Sequence, residues 1–224
     1  MSTIQALIFD FDGLILDTEL PAYRSWQEIY EEHGCHLPLP MWATRIGTNT
    51  NPFDPLDYLE ARCGRPVDRK GLTDRRERRR AELIRMESLR PGLDIYLAEA
   101  DRVGLKLAVA SSSSRAFVST QLEWLGLLDR FSCIKCAEDV ARTKPDPALY
   151  QAALDTLGIL PSEAIALEDS PNGVLAARQA GIFCVAVPCS LTAQLNIDHA
   201  NLTVASLADL PFKELLSLVE KSVL

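Results

Sequence analysis

Ala6-Leu7-Ile8-Phe9-Asp10-Phe11-Asp12-Gly13 is an apolar run that breaks off into two acidic residues one position apart, and then a glycine. Between Ile4 and Phe9 five of six residues are apolar, which predicts a strand buried on both faces of a parallel sheet. A carboxylate left in such surroundings without a partner costs several kcal/mol or gives up its charge. Two at the strand's end stay charged most readily at the mouth of the sheet, beside a cation. Alternation along an extended chain turns Asp10 and Asp12 to one side, and Gly13 frees the backbone for a sharp turn. An ordinary acidic turn would also show Asp-x-Asp, so the weight comes from what recurs downstream.

From Pro91 onward, helices and short apolar strands alternate. A helix is expected over 91–104. Lys106–Ala110 reads as a strand running into Ser111-Ser112-Ser113-Ser114, followed by a helix to Leu125. Further strands are expected at 131–136, 164–167, 183–187 and 202–205. Helices are expected at about 148–157, 171–180 and from Pro211. Strand–helix alternation with short loops predicts an α/β fold, a doubly wound parallel sheet of Rossmann-like type.

Between the first strand and this region the pattern differs. Asp17 and Thr18 suit a helix N-cap, and a helix is expected from Thr18 to about Glu32, stopped by Gly34. Residues 35–88 show several prolines, helix-like segments and no strand pattern. The chain is therefore read as a core of residues 1–16 and 89–224 carrying a helical insertion over 17–88. Within the insertion, Arg75-Arg76-Glu77-Arg78-Arg79-Arg80 reads as a solvated helix face rather than a ligand-binding patch. The polar stretch Arg45–Asn51, with Gly47 and Thr48, is either a plain inter-helix loop or the part of a lid that meets substrate.

Three apolar strands thus end in polar groups: Asp10/Asp12, Ser111 and Glu168/Asp169. In open parallel sheets the ligand crevice lies beyond the carboxyl ends of the strands. Lys144, followed by Pro145, enters the same rim from a loop. Carboxylates without His or Cys select a hard, oxygen-seeking cation, Mg²⁺ above all. A carboxylate beside Mg²⁺ can attack phosphorus. A second acid two residues on can move the proton. A serine ahead of a helix N-terminus (Ser111, Ser112) cradles phosphate, and Lys144 neutralises it. Singly, each group has a plain alternative: an N-cap, a surface cation, a loop.

Composition sets limits. The chain has 224 residues, 47% hydrophobic and 24% charged, with net charge −8 and pI about 5.0, which speaks against nucleic acid as partner. No apolar run reaches membrane-spanning length and the N-terminus lacks a signal-peptide pattern, so a cytoplasmic protein without membrane partners is expected. The six cysteines, the Cys133-x-x-Cys136 spacing included, read as buried, reduced structural thiols.

Taken together, the four motifs resemble the haloacid dehalogenase superfamily, and the resemblance spans the chain. They are Phe9-Asp10-Phe11-Asp12-Gly13 extended to Asp17-Thr18, Ala108-Val109-Ala110-Ser111, Lys144-Pro145, and Glu168-Asp169-Ser170-Pro171-Asn172-Gly173. The helical insertion is similar to the small cap of the phosphoglycolate phosphatase-like and β-phosphoglucomutase-like subgroup. The resemblance implies Asp10 as nucleophile, Asp12 as general acid/base, and Ser111 and Lys144 as holders of the phosphate. It implies Mg²⁺ on the Asp10 carboxylate, the Asp12 carbonyl and Asp169, with Glu168 in support. It also implies substrate contacts from the cap loop around Gly47 and Thr48.

The expected activity is a Mg²⁺-dependent phosphatase acting on a small phosphorylated, sugar-like metabolite through an aspartyl-phosphate, in a monomer. A phosphosugar mutase is the alternative. Against it, the cations that β-phosphoglucomutases carry on the first cap helix and in the cap loop fall here at Ala22 and near Thr50, although Arg24 and Arg45 could stand in for them. A non-enzymatic phospho-accepting receiver is more remote, because receivers lack both the second acid of Asp-x-Asp and the insertion.

Overall fold

The computed structural model describes residues 4–46 and 53–222. Its centre is one six-stranded sheet in the order β3-β2-β1-β4-β5-β6, with every neighbouring pair parallel. The strands are β1 (Ala6–Phe9), β2 (Lys106–Ala110), β3 (Cys133–Lys135), β4 (Ala164–Glu168), β5 (Phe183–Ala186) and β6 (Leu202–Thr203). This is the expected doubly wound α/β architecture.

Alternation along the strands sorts side chains by size. Leu7, Phe9, Leu107, Val109, Ile165, Leu167 and Val185 share one face. They pack on α5 (Leu93–Val103), α6 (Arg115–Trp124) and α9 (Phe212–Ser222). The other face is lined largely by small residues, Ala6, Ala108, Ala110, Ala164, Ala166 and Ala186, around Ile8. It carries α7 (Ala148–Leu157) and α8 (Pro171–Gln179). By the same parity Asp10 and Glu168 belong to the small-residue face, toward α7. Phe9 stands in register with both Val109 and Leu167, so β1 and β4 end level with one another.

The helical segment comprises α1 (Glu19–Glu32), α2 (Leu39–Ala43), α3 (Pro55–Cys63) and α4 (Arg69–Ile84). It has its own apolar cluster around Tyr23, Trp26, Tyr30, Trp42, Leu56 and Leu59. Cys189 and Leu191, from the loop after β5, join that cluster. The chain leaves the sheet and returns to it side by side, with Leu16 and Leu89 forming an antiparallel bridge.

Several expectations change in detail. Helix α5 starts at Leu93 rather than Pro91, because Gly92 caps it at φ +84° against the backbone of Ala208. Strands β3 and β6 are shorter than their apolar runs. The arginine run of α4 is only partly a solvated face. Arg75 pairs with Glu32, and Arg79 places Nε and Nη2 on Glu28, so the run ties α4 to α1. The Arg76 side chain is 12% exposed and lies against the Trp26 ring. Arg80 stacks 4.7 Å from the centre of the Phe117 ring on α6. A guanidinium over a ring face is held by the ring's quadrupole, so such arginines need not face water. Among the cysteines, Cys133, Cys136, Cys184 and Cys189 are buried as expected, but Cys35 and Cys63 are only half-buried.

Ile8 is fully buried among the alanines of the tighter face. Ile8→Ala should lower stability by about 2–5 kcal/mol. Urea unfolding checks this, and a loss under 1 kcal/mol would mean that the α7/α8 layer can collapse onto the sheet.

Candidate active site

The level ends of β1 and β4 bring Asp10 and Glu168 together, and the loop before α7 inserts Lys144 between them. Lys144 Nζ donates to Asp10 Oδ1 at 2.5 Å and to Glu168 Oε1 at 2.5 Å. All three side chains are at most 8% exposed. Tyr150, in the first turn of α7, donates its hydroxyl to the same Glu168 oxygen at 2.7 Å. The other Glu168 oxygen accepts from the Asp169 and Ser170 amides. Both carboxylate oxygens of Glu168 are therefore engaged, and one function of this residue is to hold Lys144. Gly173 is what makes room: a Cβ there would lie 2.0 Å from the Glu168 carboxylate.

Asp12 lies in a ring of hydroxyls. Thr18 Oγ1 donates to Oδ1 at 2.5 Å, while Ser113 Oγ at 2.6 Å and Ser111 Oγ at 3.3 Å donate to Oδ2. The expected cap residue Thr18 thus gives its side chain to Asp12, and Asp17 instead receives the Leu20 amide. Ser111 Oγ also accepts from the Ser113 amide. Ser112 follows in the same loop, half-buried, and Ser114 caps α6. Gly47, Thr48 and Thr50 lie outside the described residues. Ala22 is buried on α1, Arg24 is exposed, and Arg45 is held in the helical layer by the Phe53 carbonyl and the Trp42 and Phe53 rings.

Asp169 completes the acidic tip. Its carboxylate lies so close to the turn after Asp12 that a Cβ on Gly13, itself at φ +80°, would sit 2.0 Å from Oδ2. Thr192 donates to the same oxygen at 3.3 Å. Ligand oxygens of Asp10, Glu168 and Asp169 all fall within 4.8 Å of one another. Three buried carboxylates face one ammonium. Burial and mutual repulsion push Asp10 and Asp169 well above the usual carboxylate range, with Lys144 opposing. Burial pulls the Lys144 ammonium down, but Asp10 and Glu168 outweigh it and shift it upward overall. An all-oxygen cluster with surplus negative charge fits a hard divalent cation. Asp10 and Asp169 are the carboxylates best placed to hold it, since Glu168 is already committed.

One further acid belongs to this surround. Glu19, at the start of α1, is half-buried, and burial pushes its carboxyl up to about 8. The negative charge of Asp12 adds to the effect, while Arg80 and Arg76 oppose it. Motif spacing did not mark out Ser113, Tyr150, Thr192 or Glu19, and it gave Thr18 only as the end of the first motif and a helix cap. Their roles arise from contacts across as many as 101 residues of chain.

A raised carboxyl pKa has a definite sign. Below about 4.5 Glu19 is protonated whether the chain is folded or not. Between there and about 8 the folded state holds a proton that the unfolded state releases, so folding weakens as pH rises. The melting temperature of Glu19→Gln should therefore gain on the parent between pH 5 and pH 8.5 in metal-free buffer. Parallel melting profiles over that range would contradict the assignment.

The sequence profile described as haloacid dehalogenase-like hydrolase matches residues 7–187. A Bacillus subtilis (strain 168) protein named "Putative phosphatase YhcW" is 45% identical over 213 residues, covering 95% of this chain and 96% of its own. A solved structure of β-phosphoglucomutase from Clostridium difficile shares the fold with a TM-score of 0.77 at 22% identity, over 99% of both chains. A variant of CbbY from Rhodobacter sphaeroides, solved with xylulose-(1,5)bisphosphate, aligns with a TM-score of 0.73 at 28% identity, over 93% of this chain and 96% of that one. The chain belongs to the haloacid dehalogenase-like hydrolases and is an enzyme of their phosphoric monoester hydrolase class.

Proposed function

We propose that this enzyme is a Mg²⁺-dependent phosphatase of small phosphorylated metabolites, sugar phosphates foremost, working through a phosphoryl group carried on Asp10. The observation that carries the reading is the buried Lys144 ammonium shared between Asp10 and Glu168, with Asp12 beside it in its ring of hydroxyls. The relative crystallised with a sugar bisphosphate supports the substrate class.

In this mechanism Asp10, oriented through Oδ1 by Lys144, supplies the carboxylate oxygen that attacks phosphorus. The bond to the leaving alkoxide breaks as Asp12 donates a proton to it. Asp12, now a carboxylate, takes a proton from water. The water oxygen attacks the phosphorus of the acyl phosphate and returns Asp10 as a carboxylate. Thr18 and Ser113 hold Asp12 in place for both transfers. Lys144 and the Ser111–Ser112 turn neutralise and cradle the phosphoryl oxygens. Asp10 and Asp169, with the Asp12 carbonyl and Glu168 alongside, would hold Mg²⁺. Bound there, it supplies charge that offsets repulsion between carboxylate and phosphate.

The helical segment 17–88 acts as a cap over this edge, entered and left at the Leu16–Leu89 bridge, and substrate contact is assigned to Gly47 and Thr48, which lie outside the described residues. The mutase alternative is not favoured. The buried Ala22 offers no cation, Arg24 points to solvent, and Arg45 is engaged within the cap. Among the described residues no helix is long and apolar enough to cross a membrane. We read the enzyme as a cytoplasmic monomer that binds neither nucleic acid nor membrane.

Assaying phosphate release from a panel of phosphorylated metabolites, with Mg²⁺ and with chelator, tests the reading. Release should need Mg²⁺ and fall on the order of a thousandfold or more in Asp10→Asn, with the circular dichroism spectrum unchanged. Isomerisation of sugar monophosphates without phosphate release would overturn it, as would near-parental rates in that variant. The half-saturating Mg²⁺ concentration separates the acids. It should rise about 10–100-fold or more in Asp169→Ala and stay within about threefold of the parent in Asp12→Ala, whose turnover nonetheless collapses. Equal shifts in the two variants would contradict the division of roles.

A further inference from the structure

Cys35 and Cys63 stand apart from the other four cysteines. Their Sγ atoms are 3.3 Å from one another, in direct contact. Cys35 follows the end of α1, and Cys63 is the last residue of α3. Both are half-buried, and their chain neighbours Gly34, His36, Arg62 and Gly64 are exposed, so a small oxidant can reach them. The surrounding packing holds the two helices together. The Tyr30 hydroxyl donates to the Pro55 carbonyl, and the Tyr30 and Tyr58 rings stack at 6.1 Å. Moving the sulfurs from contact to a bond of about 2.05 Å needs about 1.3 Å of travel, within reach of side-chain rotation. The Cys133-x-x-Cys136 spacing, the more conspicuous signal in the sequence, places two buried thiols at the two ends of β3, out of an oxidant's reach.

We propose that Cys35 and Cys63 form a reversible dithiol–disulfide pair that staples α1 to α3 in the helical layer. With hydrogen peroxide as oxidant, one thiolate attacks a peroxide oxygen. The O–O bond breaks, leaving a sulfenic acid and releasing water after protonation. The second thiolate attacks the sulfenic sulfur, forming the S–S bond and expelling a second water. Two thiols give up two electrons, and one peroxide is reduced to two waters. The first step needs a thiolate. Burial, the contact with Cys35 and its charge push the Cys63 thiol up, with Arg65 opposing, so closure speeds up as pH rises. The closed loop runs from Cys35 through α2 to the end of α3. It restricts the unfolded chain over that span and leaves the residues around Lys144 untouched. This proposal stands whether or not the phosphatase reading does.

Peroxide treatment of the full-length protein, with thiol blocking, trypsin and mass spectrometry under non-reducing conditions, tests it. Peptides 25–45 and 63–69 should appear joined, lighter than their sum by about two hydrogens, and part again with dithiothreitol. The oxidised protein should run as a monomer and melt about 5 °C or more above the reduced form. Cys63→Ser should show neither the cross-link nor the shift, while Cys133→Ser keeps both. The proposal fails if Cys35 and Cys63 remain fully alkylatable after oxidation. It also fails if they end as separate sulfinic acids, if they join only between chains, or if they join without raising the melting temperature.

Discussion

A buried ammonium clamped between two buried carboxylates is the constraint on which the rest of this structure depends. Lys144 reaches Asp10 and Glu168 at equal distances with its whole side chain out of water. Charges so placed hold together only if geometry and further hydrogen bonds compensate for lost hydration. Removing one partner from such a set typically costs about 3–5 kcal/mol. Much of the surrounding chain can be understood as meeting that condition. The parallel register ends β1 and β4 level. Tyr150 and two backbone amides occupy the remaining lone pairs of Glu168. Gly173 carries no side chain that would displace it. Asp169 adds a third carboxylate to the one ammonium, and the cluster of Asp10, Glu168 and Asp169 could hold a metal ion.

The helical layer extends the same electrostatics outward. Thr18, at its threshold, holds Asp12, and the next residue, Glu19, feels the negative charge of Asp12 against the positive charges of Arg80 and Arg76. Arg80 is stacked on Phe117, whose ring meets Phe11 edge-on at 6.0 Å. Phe11 separates the two aspartates of the first motif. The turn after β1, helix α6 and helix α4 are thus in one continuous contact. A cap that moves would have to carry or break the Arg80–Phe117 contact.

How much of this was readable in advance follows from the range of each interaction. Strand tips were legible, because an apolar run ending in a polar group is a local signal, and three such runs in order, with Lys144-Pro145 between the second and third, place an edge. Glycine and proline punctuation also set most helix limits to within two residues, as at Gly104 and Pro171. The hydroxyl ring was not legible, since Ser113 looks like any residue of a serine-rich loop until folding brings it to Asp12. Neither was the part-burial of Arg76 and Arg80, because charge patterning assigns arginines to solvent while here their guanidinium groups lie over aromatic rings. The Cys35–Cys63 contact spans 28 residues and has no spacing rule, whereas the Cys-x-x-Cys pair does and yet stays apart from any exposed chemistry.

In the proposed reaction the tip of β1 carries the phosphoryl group while Lys144 and the β4 tip hold the charges around it. A crystal structure of the enzyme soaked with Mg²⁺ and beryllium trifluoride, a mimic of a carboxyl-bound phosphoryl group, tests this most directly. The account predicts beryllium bonded to an Asp10 carboxylate oxygen, a fluorine within hydrogen-bond distance of Lys144 Nζ, and Mg²⁺ touching both Asp10 and Asp169. Beryllium attached to any other residue, or Mg²⁺ bound away from Asp169, would contradict it.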